Sequence, residues 1–98
     1  MLQEALQWYF ENSKKLAKVS IGEIDYYPPD GDDSFSFGFE GRKTVHQIIV
    51  WDEGYIKFLS LDKNTMIQSV KDIKAGDFLE MEKYLNEFLA EVLLENNV

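Results

Sequence analysis

The sequence predicts an α+β fold, a two-layer sandwich in which an antiparallel sheet of about four strands packs one face against an N-terminal and a C-terminal helix. Both ends of the chain carry apolar residues at helical spacing, whereas the middle alternates between apolar and polar residues. Short turn-forming stretches separate the central segments, which favours strands that follow one another as an antiparallel meander. A length of 98 residues is typical of one domain, and we expect residues 1–98 to form one.

Two amphipathic segments predict the helices. In the first, which covers residues 2–18, the apolar positions recur with a helical period. These positions are Leu2, Ala5, Leu6, Tyr9 and Phe10. Trp8 lies beside this stripe, and we expect it among the exposed aromatic side chains. The second segment covers residues 78–95 and begins after Asp77, a residue type that caps helix N-termini with its carboxylate.

Four segments predict strands by their β-branched and aromatic content or by their alternation. They are residues 19–27, 34–40, 44–51 and 55–61. Phe35, Phe37 and Phe39 alternate with small or polar residues, so we expect one face of that strand to be buried. Residues 62–76 have no single period and fit either a short strand or an irregular crossing.

The chain is strongly acidic, with 18 Asp and Glu against 10 Lys and Arg and a formal net charge of −8. This charge repels phosphate backbones and anionic lipid headgroups, so we expect neither direct nucleic-acid binding nor membrane binding. It attracts basic proteins instead, although the same acidity also serves solubility. The chain has no cysteine and no basic N-terminal stretch followed by a long apolar run, and we therefore expect a cytoplasmic protein.

No residue pattern in the sequence indicates a catalytic, cofactor or metal site. His46 is the single histidine, and its neighbours on the same strand face, Thr44 and Ile48, offer no carboxylate or nucleophile for acid–base chemistry. The acids that follow Pro29 lie in a loop too short to surround calcium, and the glycines match no phosphate-binding loop. We therefore expect no enzyme activity, no cofactor and no metal, and an enzyme that uses His46 is the least favoured alternative.

Acidic residues are concentrated in two parts of the sequence. Between Glu23 and Glu40 there are six acidic residues and no basic one, and further acids share one sector of the last helix. Two of these, Glu87 and Glu91, stand at i, i+4 spacing, which destabilises a helix by about 0.3 kcal/mol unless a partner compensates. We therefore predict that a basic protein partner binds these carboxylates. The predicted partner-binding residues are Glu23, Asp25, Asp30, Asp32, Asp33, Glu80, Glu87 and Glu91.

In size, charge and mixed α/β content the chain resembles immunity proteins that act against nuclease toxins and phage-encoded antagonists of host defence, although no motif identifies either family. The resemblance implies a small inhibitor that covers a basic, nucleic-acid-handling partner, with carboxylates standing where phosphates would lie. The alternative is a structural or oligomeric accessory domain. In that case the half-apolar faces of residues 44–51 and 55–61 bury against a second copy or another subunit.

Overall fold

The computed structural model describes residues 1–31 and 33–96, and it confirms an α+β arrangement with both helices on one face of an antiparallel sheet. The elements in chain order are α1 (Leu2–Val19), β1 (Asp25–Tyr27), β2 (Ser34–Glu40), β3 (Thr44–Trp51), β4 (Tyr55–Asp62), β5 (Gln68–Lys74) and α2 (Phe78–Glu95). Each strand pairs antiparallel with its neighbour in sequence, in the order β1-β2-β3-β4-β5. The sheet in the described ranges thus has five strands rather than four.

The apolar core lies between the two helices and one face of the sheet. The register places Phe37 of β2 beside Ile48 of β3, and Ile48 beside Phe58 of β4, so these three side chains share the helix-facing side. Leu16 of α1 and Leu85 of α2 are fully buried in the same cluster. Burial of one large apolar side chain contributes about 1.5–3 kcal/mol, so this shared core holds both helices on the sheet.

The strand predicted over residues 19–27 is wrong for most of its length. α1 continues to Val19, residues 20–24 form a loop, and only three residues pair as β1. Within the loop Gly22 has a φ of +88°, a left-handed conformation that interrupts an extended segment. Val19 and Ile24 pack against the core from helix and loop. Their β-branched side chains therefore serve burial rather than strand pairing.

The undecided residues 62–76 contain the edge strand β5 and the loop that precedes it. The side chains of β5 are exposed on both faces except Ile73, which is half-buried. Apolar and polar residues alternate in a strand when one of its faces is buried. Because both faces of β5 are solvated, its sequence shows no such alternation. In the loop, backbone N–H groups of Thr65 and Asn64 donate to the carboxylate of Asp62 and hold the pKa of Asp62 below its ordinary value.

The buried side of α1 differs from the one predicted. Trp8 is 4% exposed, because α1 lies against both the sheet and α2, and its ring packs near Phe37. Phe10, which belongs to the apolar stripe, is 58% exposed instead. At the other end of the chain the predicted cap is confirmed, since the Asp77 carboxylate accepts a hydrogen bond from the backbone N–H of Glu80 at 2.9 Å.

Candidate functional site

The helix layer ends before it reaches β5. Tyr9 of α1 stacks on Tyr26 of β1, with ring centroids 5.0 Å apart. Phe88 of α2 contacts His46 of β3 and Phe58 of β4, with centroids 5.5 and 5.4 Å away. Helices pack about 8–10 Å apart and strands about 4.8 Å apart, so two helices cover about four strands. In residues 1–31 and 33–96, the helix-facing side of β5 therefore has no helix above it.

A groove of about 250 Å³ follows from this incomplete cover, between α2 on one side and β4 and β5 on the other. We call it the α2 groove. Its floor is aromatic, its α2 rim is acidic, and its β5 rim carries one lysine. The floor residues are His46, Phe58 and Phe88, the α2 rim residues are Glu87, Glu91 and Glu95, and the β5 rim residues are Ser69, Lys71 and Ile73.

No basic side chain of the described residues forms an ion pair with the acidic rim. Within residues 1–31 and 33–96, neither Glu87 nor Glu91 is ion-paired, and Lys71 on the opposite rim forms no ion pair with them. Glu95 accepts a hydrogen bond from the Thr44 hydroxyl at 2.6 Å, which fixes its carboxylate beside β3. Three carboxylates at successive i, i+4 spacings repel one another, and a cation in the groove would relieve that repulsion.

His46 lies on the floor of the α2 groove and is 8% exposed. Its Nε2 atom is buried and has no hydrogen-bond partner in the part of the chain that the structure describes. Burial lowers the pKa of His46 below its ordinary value, and the negative charge of Glu95 opposes this change. The imidazole is therefore neutral at pH 7, with one acceptor nitrogen and one N–H donor. An unmatched buried polar atom costs about 1–3 kcal/mol, so the unpaired Nε2 of His46 lowers the stability of the fold.

The predicted partner-binding acids do not form one surface. Glu87 and Glu91 line the α2 groove, but Glu80 does not. Glu80 stands in the first turn of α2, where its carboxylate accepts a weak hydrogen bond from the Gly76 N–H at 3.4 Å. The sequence predicts all three glutamates in one sector of α2. In the structure Glu80 lies at the start of the helix, whereas Glu87 and Glu91 lie at the rim of the groove.

Glu23 and Asp25 line a second groove, of about 410 Å³, on the opposite face of the sheet. We call it the β1-edge groove. Glu40 also lines it, but its carboxylate is ion-paired with Lys63. Gly38 lies on its floor, where the absence of a side chain leaves the space open. The two acidic groups therefore lie on different faces of the molecule.

Asp30 and Asp33, in the loop before β2, line neither groove. Asp30 and Asp33 are exposed, and Asp30 lines a shallow cavity near Tyr27. The backbone carbonyl of Asp33 accepts a hydrogen bond from the N–H of Asp52 at 2.7 Å. Asp32 lies outside the described residues.

Sequence reasoning missed Glu95 and treated His46 as isolated. The repeat of glutamate at positions 87, 91 and 95 is a signal for Glu95, because residues four apart share one stripe of a helix. No comparable signal exists for His46. Its surroundings in the groove come from α2 and β5, which are distant from it in sequence.

The face of the sheet opposite the helices, the open sheet face, is apolar over much of β3, β4 and β5. Alternate residues of these strands point to this side, and several large apolar ones among them are half-buried or exposed. They are Val45, Ile49, Trp51, Leu59, Leu61 and Val70. An ion pair between Lys57 and Asp72, at 3.9 Å, crosses the same face. The half-apolar strand faces expected from the sequence are therefore present.

Two kinds of feature are not found in the described ranges. No group of three or more His, Asp or Glu side chains there is arranged to hold a metal ion. No described helix combines the length and the apolar character that a membrane span requires.

Comparison of the chain with protein-family models, with curated proteins and with solved structures gave no match.

Proposed function

We propose that this protein is a non-catalytic binding module that holds a basic segment of a partner protein in the α2 groove. The observation that carries the proposal is the acidic rim of Glu87, Glu91 and Glu95 beside an aromatic floor. Carboxylates attract a basic segment, and the floor gives the aliphatic parts of its side chains apolar surface to cover. The net charge of −8 adds long-range attraction for such a partner.

The partner in this proposal is a protein that handles nucleic acid, and the module inhibits it by covering its basic surface. The rim carboxylates follow one another along α2 at about 6 Å, since four residues of an α-helix rise by that distance. A row of regularly spaced anions is the feature that basic surfaces recognise in a phosphate backbone. Occupation of the surface by the module would therefore exclude nucleic acid. The lack of cysteine supports the cytoplasm as the place of action.

A catalytic role receives less support. General acid–base catalysis by His46 requires a second group that orients the imidazole, and its Nε2 has no such partner in residues 1–31 and 33–96. Glu95 is near enough to influence the pKa of His46, but its carboxylate is held by the Thr44 hydroxyl. We therefore assign the groove to binding.

A charge-reversal experiment tests the groove. The probe is a fluorescent eight-residue peptide of alternating arginine and leucine, and the measurement is its anisotropy at several salt concentrations. Combined Glu87→Lys and Glu91→Lys should raise the Kd at least about tenfold at low salt, because attraction becomes repulsion. The matched control is Glu23→Lys with Asp25→Lys, which changes the net charge equally in the β1-edge groove. An equal loss in both double variants would contradict a specific site.

The inhibitory role has its own test. A photoreactive phenylalanine at position 84, in the groove lining, should crosslink the partner in native cells, and the same group at the exposed position 10 should not. Purified partner should then release a labelled oligonucleotide when the wild-type module is added. Simultaneous binding of oligonucleotide and module would contradict inhibition by occlusion.

A second candidate function, a structural or oligomeric role, is favoured by the open sheet face. Association of two copies through this face would bury Trp51 and Leu59 from water. Light scattering after size exclusion should then show a dimer that Leu59→Lys dissociates. Leu94→Lys, on an exposed position of α2, is the control. A wild-type monomer at high protein concentration would rule this role out.

A further inference from the structure

The α2 groove offers its ligand several hydrogen-bond acceptors close together. The carboxylates of Glu91 and Glu95 stand on one side, and the imidazole of His46 lies on the floor. His46 is more than nine-tenths buried, and its Nε2 has no partner in the described part of the chain. Because that nitrogen has almost no accessible surface, the acceptors that the groove presents to a ligand are the carboxylates.

Within the described residues, the charged groups that line the groove near His46 belong to α2 or β5. From α2 these are Glu87, Glu91 and Glu95, and from β5 it is Lys71. Neighbouring residues on β2 and β4, such as Phe39 and Ser60, are uncharged. The sum of these charges is negative, so the groove favours a cationic hydrogen-bond donor over an anion or a neutral ligand.

The aromatic floor distinguishes between the two basic side chains. Phe88 lies edge-on to His46, with an interplanar angle of 82°, and Phe58 is 5.4 Å from Phe88 between ring centroids. A guanidinium is planar, stacks on aromatic rings, and donates from five N–H groups in a fixed fork. An ammonium is a strongly hydrated point charge with three donors, and it cannot lie flat on such a floor.

We propose that the α2 groove receives an arginine side chain of the partner, whose guanidinium donates hydrogen bonds to the Glu95 carboxylate and packs against the aromatic floor. This inference rests on the proposed function and names the chemical group that is recognised. Thr44 has a positioning role, because its hydroxyl holds the Glu95 carboxylate at 2.6 Å. Lys71 works against binding, because its ammonium repels the incoming guanidinium.

The test uses the wild-type chain and two short probes, an acetylated and amidated Leu-Arg-Leu peptide and its Leu-Lys-Leu counterpart. His46 is the only histidine, so long-range ¹H–¹⁵N NMR reports its two ring nitrogens without ambiguity. The arginine peptide should bind at least about tenfold more tightly than the lysine peptide, a difference of about 1.4 kcal/mol, and should move the ring resonances of His46. Glu95→Gln should lower the affinity for the arginine peptide by about tenfold and lower the affinity for the lysine peptide by less.

Lys71→Ala is the matched variant on the opposite rim, and it should tighten arginine binding about two- to threefold, because it removes a repulsive charge. Equal affinity of the two peptides with unmoved His46 resonances would overturn the arginine site, while binding of basic peptides in the groove would stand. The double variant Glu87→Lys, Glu91→Lys tests the groove itself. If both peptides bind this variant as tightly as they bind the wild type, the α2 groove is not the binding site, and the proposed function is overturned with it.

Discussion

The indole Nε1 of Trp8 donates a hydrogen bond to the side-chain oxygen of Asn86 at 2.8 Å, and this bond joins the two terminal helices. Trp8 is buried, so its N–H needs a partner from within the fold. The partner comes from the exposed residue Asn86 on α2. The arrangement of the helices therefore depends on one polar contact in addition to the shared apolar core.

Asn86→Ala removes the acceptor and leaves the indole N–H of Trp8 unpaired. We expect the free energy of unfolding to fall by about 1–2 kcal/mol, the cost of an unsatisfied buried donor. Urea unfolding followed by tryptophan fluorescence measures this as a lower midpoint at an unchanged slope. The control is Gln7→Ala, which breaks an exposed bond to Glu11 and should change stability by less than about 0.5 kcal/mol. Equal effects of the two variants would mean that the Trp8 bond contributes little.

Gly54 connects β3 and β4, and no other residue type fits its position. Its φ is +108°, and a Cβ atom there would lie 2.2 Å from the carbonyl oxygen of Ala75. We expect Gly54→Ala to destabilise the fold by at least about 2 kcal/mol, since strain and a backbone clash add. Gly22→Ala is the matched comparison, because Gly22 also has positive φ but its Cβ would meet nothing within 4 Å. That variant should lose only about 1 kcal/mol, as measured by thermal unfolding.

Met66 carries backbone strain in the loop before β5, with a φ of 61°. Asparagine tolerates this left-handed conformation better than methionine does. Because the Met66 side chain is exposed, Met66→Asn loses no core packing. We expect it to raise the free energy of unfolding by about 0.5–1 kcal/mol. Ile67→Asn, at a neighbouring exposed position without positive φ, should give no gain, and a similar gain there would contradict the strain.

The burial of His46 predicts a pH dependence of stability. Its ordinary pKa is 6.5 and burial lowers the pKa in the folded state, so the unfolded chain takes up a proton first as the pH falls. The contribution of His46 to stability therefore decreases as the pH falls below about 6.5, until the folded pKa is reached, with a slope of at most about 1.4 kcal/mol per pH unit. Urea midpoints between pH 5 and 7.5, compared with His46→Gln, isolate this contribution. Parallel pH curves for the two proteins would show that His46 takes up protons equally in both states.

Elements whose residues form one buried and one exposed face could be predicted from the sequence. The ranges 34–40, 44–51 and 78–95 match β2, β3 and α2, since each carries its own alternation or helical period. Residues 20–24 could not be assigned in the same way, because their apolar side chains pack into the core from a loop. Edge strand β5 has no buried face along most of its length, and its sequence has no period to read.

The candidate site was accessible to sequence reasoning only in part. The spacing of Glu87 and Glu91 predicts that they share one side of α2, and they stand together at a groove. Their binding of a partner stays a prediction. The separation of Glu23 and Asp25 onto the opposite face was not foreseeable, because it depends on which side of β1 meets the helices.

The fold class, the two helices, the central strands and the net charge could be read from the amino-acid order alone, because they follow from local periodicity and composition. That two helices leave β5 uncovered, and that His46 lies under the glutamates of α2, emerged from the packing of the elements. The physical reason is that a groove is the space left between packed elements. Its size and lining depend on how the layers cover one another, which no local pattern of residues encodes.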